Sequence, residues 1–404
     1  MAGWLSAGVA LLLVAATLVA YVRYRSVWSS IHRINITGLG QRPPQYNSAL
    51  NVLLIGSDSR AGSDHSFGAG VQGQRSDTIM ILHLSPGHRR ATVLSIPRDS
   101  VVPQVACPSG AGFAGQQASP GNPERINATF ANGGPGCLWK TIEQETGIHL
   151  DHFIELDFTG FEHIIDDLGG VNICLPVAIN DPASGLRLTA GRHHVMGAEA
   201  LAFWRERHIG TGSDLQRIQR DQYLMASLLQ GVAHSDILGN PARMYSIVVD
   251  TASAMTTDSG LDLGTLVKIA DSLRGVSSGS VQFVQVPEVP YPSDPQAEVM
   301  FQQPQSGTLF SAIAHDTVLP RRGARTAKHP RPRGRGPSGS RSASPSVAAS
   351  ATGAPSATPS PSPSASPSIS GLSRTYGGIK GSAPACHDQA AFAGGDVPSD
   401  FSTP

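Results

Sequence analysis

Two aspartates flank predicted strands, where their carboxylates could bind a metal ion. Asp58 follows the aliphatic run in NVLLIGSDSR, and Asp77 precedes the one in RSDTIMILHL. Mg²⁺ binds proteins through one or two carboxylates and takes its other ligands from water and substrate phosphates. The pair therefore predicts a Mg²⁺ or Mn²⁺ site. Loop capping is the alternative, because aspartate is common where strands end.

Arginines recur in and around the same motifs. Guanidinium groups hold phosphate oxygens bidentately, so several arginines near one another indicate a polyanionic ligand. Salt bridges on an acidic surface are the alternative for any one of them. Arg205 and Arg207 can converge only where the chain is extended, because residues two apart on a helix diverge by about 200°. The candidate phosphate-binding residues are Arg75, Arg98, Arg125, Arg205, Arg207 and Arg217.

Three aliphatic runs, residues 51–55, 79–84 and 91–96, predict buried strands that would position these groups. A turn-like segment joins the second run to the third. If the first two runs are also antiparallel neighbours, Asp58, Asp77 and Arg98 share one sheet edge. Helical patterns follow at residues 138–146, 158–168, 214–232, 243–254 and 263–273, with a further strand at 281–286. The predicted fold class is α/β, a mixed central sheet covered by helices.

Composition divides the chain into a folded part and a tail. Residues 1–319 carry a net charge of −7, whereas residues 320–404 carry +7 and consist mainly of Pro, Ser, Ala, Gly and Arg. A segment with so few large apolar groups is expected to be disordered. We expect a domain over residues 49–319 and a basic, then Ser/Pro/Ala-rich, tail over 320–404. The tail is read either as a solvated linker or as an arm that binds anionic wall polymer or lipid headgroups.

Residues 3–22 contain no charge over the length that a helix needs to cross a membrane. We expect a transmembrane anchor over residues 1–25 and a linker over 26–48. A cleaved signal peptide is the rival reading. Arg23, Arg25 and Arg33 follow the apolar segment, and the positive-inside rule taken literally places the domain in the cytoplasm.

The cysteines favour the opposite side of the membrane. Cys107 and Cys137 stand at the two ends of a Gly/Pro/Ser-rich segment, and a disulfide between them would constrain that segment in an oxidising compartment. Two unrelated buried thiols are the alternative. Cys174 and Cys386 could pair or stay free. None of the four has the spacing of a zinc site.

Seven motifs occur in order over residues 50–235 and together resemble the LytR-CpsA-Psr family of cell-wall glycopolymer ligases. They are NVLLIGSDSR, RSDTIMILHL, SIPRDS, ERINATFANGGPGCLWKTIE, DHFIELDFTGFEHIIDDLGGVNICLP, LTAGRHHVMGAEALAFWRERH and SDLQRIQRDQ. The resemblance extends more weakly to about residue 318. The family usually has glutamine where this chain has Asp221, which puts one polar substrate contact in doubt.

The resemblance implies an extracytoplasmic phosphotransferase anchored in the cell membrane by a single span. Family members pass a phospho-glycan from a polyprenyl-diphosphate carrier to a hydroxyl of peptidoglycan, or of a protein. Their pattern maps metal binding to Asp58 and Asp77, catalysis to these residues with Arg98, and diphosphate binding to the six arginines. It also implies an apolar tunnel for the isoprenoid between sheet and helices.

Two other functions are alternatives, of which the hydrolase would use the same residues and the scaffold would tolerate Asp58→Ala and Arg98→Ala. A lipid-diphosphate hydrolase would direct water, instead of a sugar hydroxyl, at the diphosphate. A non-catalytic scaffold would bind wall polymer without reacting it. Asp58 and Asp99 are both candidates for the general base. No nucleic-acid partner is expected, because the folded part is acidic.

Overall fold

The protein is described from a computed structural model. The residues it describes are 2–57, 76–87, 89–110, 112–113, 121–175, 177–182, 184–206, 214–234, 240–262, 264–266, 268–269, 272, 281–317 and 319. Asp58, Arg75 and Arg207 lie outside them, as does the predicted tail. The domain boundaries stay predictions.

The described residues alternate between strands and helices. The strands are β1 His32–Ile34, β2 Leu50–Ser57, β3 Ser76–Leu84, β4 Ala91–Ile96, β5 Val101–Pro103, β6 Pro123–Arg125, β7 His152–Asp157, β8 Val171–Leu175, β9 Ile179–Asp181, β10 Leu186–Leu188, β11 Gly191–Val195, β12 Met255–Asp258, β13 Val281–Gln285, β14 Glu288–Pro290 and β15 Val299–Phe301. The helices are α1 Ala2–Ser30, α2 Ile126–Thr146, α3 Phe158–Asp167, α4 Gly197–Arg205, α5 Asp214–His234, α6 Pro241–Ala252 and α7 Gln305–Ala314.

Seven strands form one mixed sheet in the order β1-β12-β7-β2-β3-β4-β13. Strands β2, β3 and β4 run antiparallel in sequence, whereas β7 lies parallel to β2 and β13 parallel to β4. The three predicted strands are thus confirmed as neighbours. The end of β2, the start of β3 and the end of β4 meet at one edge of the sheet, as the sequence predicts.

Helices cover both faces of this sheet, which confirms the mixed α/β class. On one face, α2 and α7 pack through residues such as Phe130, Leu138 and Phe310 on β2, β3 and β4. On the other face, α5 packs through Met225 and Ala226. The α5 helix also contacts a second cluster built from α3, α4, β8 and β11. Alternating side chains along each strand supply the two apolar faces.

Helix α2 begins twelve residues earlier than the sequence pattern predicts, at Ile126. It contains Pro135 and a kink at Gly134, whose φ of 76° and ψ of −177° are not helical. Glycine adopts this positive φ without the steric cost that other residues incur. The Gly/Pro-rich sequence therefore concealed a helical segment that buries Ile126 and Phe130.

Cys107 and Cys137 form a disulfide with a Cα–Cα distance of 5.5 Å. The bond joins the segment after β5 to the middle of α2, and both cysteines are buried beside Val105 and Phe113. Cys174 on β8 is also disulfide-bonded. The disulfide at Cys107 constrains the chain that leads from β5 to β6.

The amino-terminal residues contact the domain beyond α1. Strand β1 pairs in parallel with β12 at the sheet edge. Arg42 donates a hydrogen bond from Nη2 to the buried carboxylate of Glu143 at 2.6 Å. In the part of the chain that the structure describes, no helix has the length and hydropathy of a membrane span. The membrane anchor over residues 3–22 stays a prediction.

Candidate functional site

Asp77 lies at an irregularity where β2 and β3 pair. Gly56 is opposite Thr78 and Ser57 is opposite Ser76, so no residue of β2 faces Asp77 across the ladder. An extra residue of this kind bends a strand and redirects its side chain, and such bulges are common beside active sites. The Asp77 carboxylate accepts a hydrogen bond from Nη1 of Arg98, which follows the end of β4. The structure thus brings two of the predicted residues into direct contact.

Arg217 on α5 reaches the same carboxylate from the helical layer. Its Nη2 lies 3.7 Å from Oδ1 of Asp77, although only 7% of its side chain is exposed. The Nε and Nη1 atoms of Arg217 are buried and have no hydrogen-bond partner among the described residues. Buried donors normally have a partner, so these two are suited to an anionic ligand.

Arg125 is linked to Arg98 through Asp99. The Asp99 carboxylate lies 3.2 Å from Nε of Arg98 and 3.9 Å from Nη1 of Arg125. Arg125 also donates from Nε to Glu298 at 2.9 Å. Asp99 therefore positions two guanidinium groups, which favours an orienting role over that of general base.

Arg205 occupies the last position of α4, and its guanidinium lies 5.2 Å from the ring centre of Phe158. The next residue, Glu206, has extended backbone angles of −62° and 131°. The helix therefore ends where convergence of Arg205 and Arg207 requires it to end. Arg207 itself lies outside the described residues, so that convergence stays a prediction.

Sequence reasoning did not assign a role to Glu206 or Arg220, both of which are buried beside the site. Arg220 on α5 donates from Nη2 to the backbone oxygen of Glu206 at 3.2 Å, and the same nitrogen lies 3.8 Å from the Glu206 carboxylate. The sequence shows Arg217 and Arg220 three residues apart in one predicted helix, but the residues that they contact depend on the tertiary fold.

Asp221 is buried next to Arg220 and accepts a hydrogen bond from Thr78 Oγ1 at 3.4 Å. Thr78 follows Asp77 on β3, so this contact joins α5 to the strand that carries the predicted metal ligand. The carboxylate at this position therefore contacts the protein itself, where the family resemblance leads us to expect glutamine.

An apolar cavity of about 260 Å³ opens next to these polar groups. Gly56, Thr78 and Trp204 line it near the sheet edge, and Ala91, Leu229 and Phe283 line it further along the sheet. A side chain at position 56 would be crowded, because a Cβ atom there would lie 3.0 Å from the Trp204 ring. The cavity lies between sheet and helices, where the resemblance implies a tunnel for an isoprenoid chain.

The donor set around Asp77 is compatible with a hard cation and its phosphate ligands. Asp77 supplies a carboxylate, and Arg98 and Arg217 supply donors for the remaining charge of a diphosphate. Among the described residues, no group of three or more His, Cys, Asp or Glu side chains could hold a metal ion. The second predicted ligand, Asp58, lies outside those residues.

Comparisons with known proteins identify relatives over more than half of the chain. The model of the LytR_cpsA_psr family matches residues 17–310. The "Probable cell wall biosynthesis protein LcpB" of Corynebacterium glutamicum is 33% identical over 253 residues, which are 61% of this chain and 57% of the relative. The "Polyisoprenyl-teichoic acid--peptidoglycan teichoic acid transferase TagU" of Bacillus cereus is 24% identical over 269 residues, 64% of this chain and 80% of the relative.

A solved structure supports the fold. The "LytR-Csp2A-Psr enzyme from Actinomyces oris" aligns with a TM-score of 0.53 and 23% identity, and the alignment covers 70% of this chain and 96% of that one. The chain spans little more than half the length of LcpB. Because the family match covers most of the sequence, the protein belongs to the LytR-CpsA-Psr family.

Proposed function

We propose that this protein is a glycopolymer phosphotransferase of the cell wall. It would move a phospho-glycan from a polyprenyl-diphosphate carrier to a hydroxyl group of peptidoglycan, or of a protein, with Mg²⁺ or Mn²⁺ bound. Relatives with transferase names support an enzyme of this kind.

One observation carries the proposal: an apolar cavity adjoins an arginine-rich polar site. Gly56 and Thr78 line the cavity, while Asp77 directly precedes Thr78 and contacts Arg98. A polyprenyl diphosphate has the same division into a long apolar chain and a polyanionic head. Burial of the chain would supply affinity, and the guanidinium groups would fix the diphosphate at the sheet edge.

The proposed transfer is an in-line displacement at phosphorus. The acceptor hydroxyl oxygen forms a bond to the phosphorus that carries the glycan, and the bond from that phosphorus to the bridging oxygen breaks. Polyprenyl phosphate leaves with the bonding electrons, and the hydroxyl proton passes to a base or to water. Such a reaction needs positioning and charge stabilisation more than covalent help from the protein.

Side chains of this protein can supply both requirements. Arg217 and Arg98 would bind the diphosphate oxygens and stabilise negative charge as the polyprenyl phosphate leaves. The apolar lining would hold the leaving chain. Asp99 would keep Arg98 and Arg125 oriented, as its contacts with both indicate.

Asp77 and Asp58 are proposed to hold the divalent cation. When bound, the cation would neutralise charge on the phosphate oxygens. Asp77 already pairs with Arg98, so that hydrogen bond would have to be shared or replaced on metal binding.

We also propose that residues 3–22 anchor the protein in the cell membrane and that the domain lies outside the cytoplasm. The Cys107–Cys137 disulfide supports an external domain, because such bonds persist in oxidising compartments. A reporter fused after residue 319 tests this placement. Activity of a reporter that works only in the cytoplasm would contradict it.

The deciding experiment supplies purified protein with a radiolabelled polyprenyl-diphosphate glycan, Mg²⁺ and a peptidoglycan oligomer. Label on the oligomer is the expected result. Label released only as free phospho-sugar would instead identify a hydrolase, and unreacted but bound donor would identify a scaffold. Chelation of divalent cations should stop transfer, and persistence without metal would contradict the roles of Asp58 and Asp77.

A further inference from the structure

Arg220 and Glu206 form an ion pair deep beside the proposed diphosphate site. The relative exposure is 2% for Arg220 and 0% for Glu206, so both charges are removed from water. A buried ion pair is often no more stable than a pair of apolar side chains of similar size, because desolvation offsets the attraction. Stability alone is therefore a weak reason for charge at this position.

The pair joins two elements that each carry a predicted phosphate-binding arginine. Glu206 directly follows Arg205 at the end of α4, and Arg220 lies three residues after Arg217 on α5. The Nη2 atom of Arg220 contacts both the backbone oxygen and the carboxylate of Glu206. The contact with Arg220 thus holds both the backbone at the end of α4 and the side chain of Glu206.

The extended backbone at Glu206 makes this fixation specific. Glu206 follows the last helical residue, Arg205, directly, so the place where Glu206 is held sets the place where α4 ends. Arg205 is half-buried and contacts Phe158, whereas Glu206 is fully buried. The orientation of Arg205 therefore depends on how Glu206 is held.

We propose that Arg220 is a positioning residue, which acts through Glu206 to hold Arg205 at the end of α4 in a fixed place relative to Arg217 and Asp77. The inference rests on the proposed function, since the ligand that these groups would grip is the diphosphate. Small displacements of charged groups at such a site have large effects, and a shift of about 1 Å can reduce a rate by about 10²-fold.

The test replaces the ion pair by an apolar pair in the full-length protein, as Arg220→Met with Glu206→Leu. We expect a melting temperature close to that of the wild type, because neither charge of the Arg220–Glu206 pair is left buried without the other. We expect the affinity for geranylgeranyl diphosphate to fall by about tenfold or more, because a displaced Arg205 binds the diphosphate less well. Affinity for geranylgeraniol, which has no diphosphate, should not change.

Two further variants make the result decisive. Glu206→Gln keeps the backbone oxygen that Arg220 contacts and should weaken diphosphate binding less than the double variant; it serves as the test if the double variant does not fold. Arg187→Ala removes an exposed arginine on β10 and should leave binding unchanged.

The outcomes separate this inference from the proposed function. Arg217→Ala removes a proposed diphosphate contact and should bind geranylgeranyl diphosphate poorly. Beside that control, normal diphosphate affinity in the folded double variant overturns the positioning role. The same result in Glu206→Gln overturns it if the double variant does not fold. Equal losses for geranylgeranyl diphosphate and geranylgeraniol also overturn it, because they would indicate general damage. A wild-type protein that binds neither compound overturns the proposed function and this inference with it.

Discussion

Arg98 donates a hydrogen bond from Nη1 to Oδ1 of Asp77, although 21 residues separate them in the sequence. Asp77 lies at the irregular start of β3, and Arg98 follows the end of the adjacent β4. The antiparallel pairing of these strands places both side chains at one edge. Arg98 therefore contacts the carboxylate that we propose as a ligand of the divalent cation.

Replacement of Arg98 tests this arrangement. Arg98→Ala should lower kcat/KM for transfer by about 10²- to 10³-fold, the loss seen when one donor to developing charge is removed. Arg98→Lys should recover only part of the rate, because lysine keeps the charge but lacks the planar fork. Steady-state kinetics with the labelled donor measure both, and Arg187→Ala is the matched control. Wild-type kinetics in Arg98→Ala would remove Arg98 from the site.

A bulky residue at the end of the cavity away from Asp77 should reduce the length of prenyl chain that the cavity can hold. Ala91 lines the cavity and pairs with Leu84, at the end of β3 away from Asp77. Ala91→Phe should weaken binding of long prenyl diphosphates while sparing short ones, since each excluded CH₂ group costs about 0.8 kcal/mol. Calorimetry with a series of chain lengths measures the effect. Equal weakening for every length would contradict a lipid-binding cavity.

Loss of the Cys107–Cys137 disulfide should destabilise the domain. The cysteines are 30 residues apart, and the chain-entropy relation gives about 3.7 kcal/mol for closing a loop of this length. Cys107→Ser with Cys137→Ser should therefore lower the melting temperature, and a reductant should have less effect on this variant than on the wild type. Thermal unfolding with and without reductant measures both. An unchanged melting temperature would show that the disulfide adds no stability.

Glu155 should make stability depend on pH. Burial raises the pKa of Glu155 to about 7, while a hydrogen bond with Ser57 opposes the shift and the Asp157 carboxylate adds to it. The folded state therefore binds more protons than the unfolded state between about pH 4.5 and 7, and stability falls as pH rises through that window. Above about pH 7, Glu155 is ionised in the folded state and the loss of stability is complete.

Glu155→Gln removes the buried carboxylate charge of Glu155. At pH 8 it should raise the free energy of unfolding by up to about 3 kcal/mol, and at pH 4 it should change little. Denaturant unfolding at the two pH values measures the difference. An equal effect at both would show that the ionisation of Glu155 is not the cause.

Local patterns sufficed to predict several elements. The runs that became β2, β3 and β4 carry the aliphatic residues that buried strands require. The long pattern from residue 214 became α5, with Leu224 and Ala226 buried. Periodicity failed for α2, because Gly134 and Pro135 interrupt a helix that tertiary packing maintains.

By itself, the sequence determined the order of the motifs, the antiparallel strands and the identity of the charged groups at their ends. Only the tertiary structure decided which of those groups meet. Arg217 reaches Asp77 because α5 packs across the sheet, and Arg220 meets Glu206 because α4 ends beside α5. Contacts of this kind depend on how helices pack on a sheet, which short-range patterns do not encode.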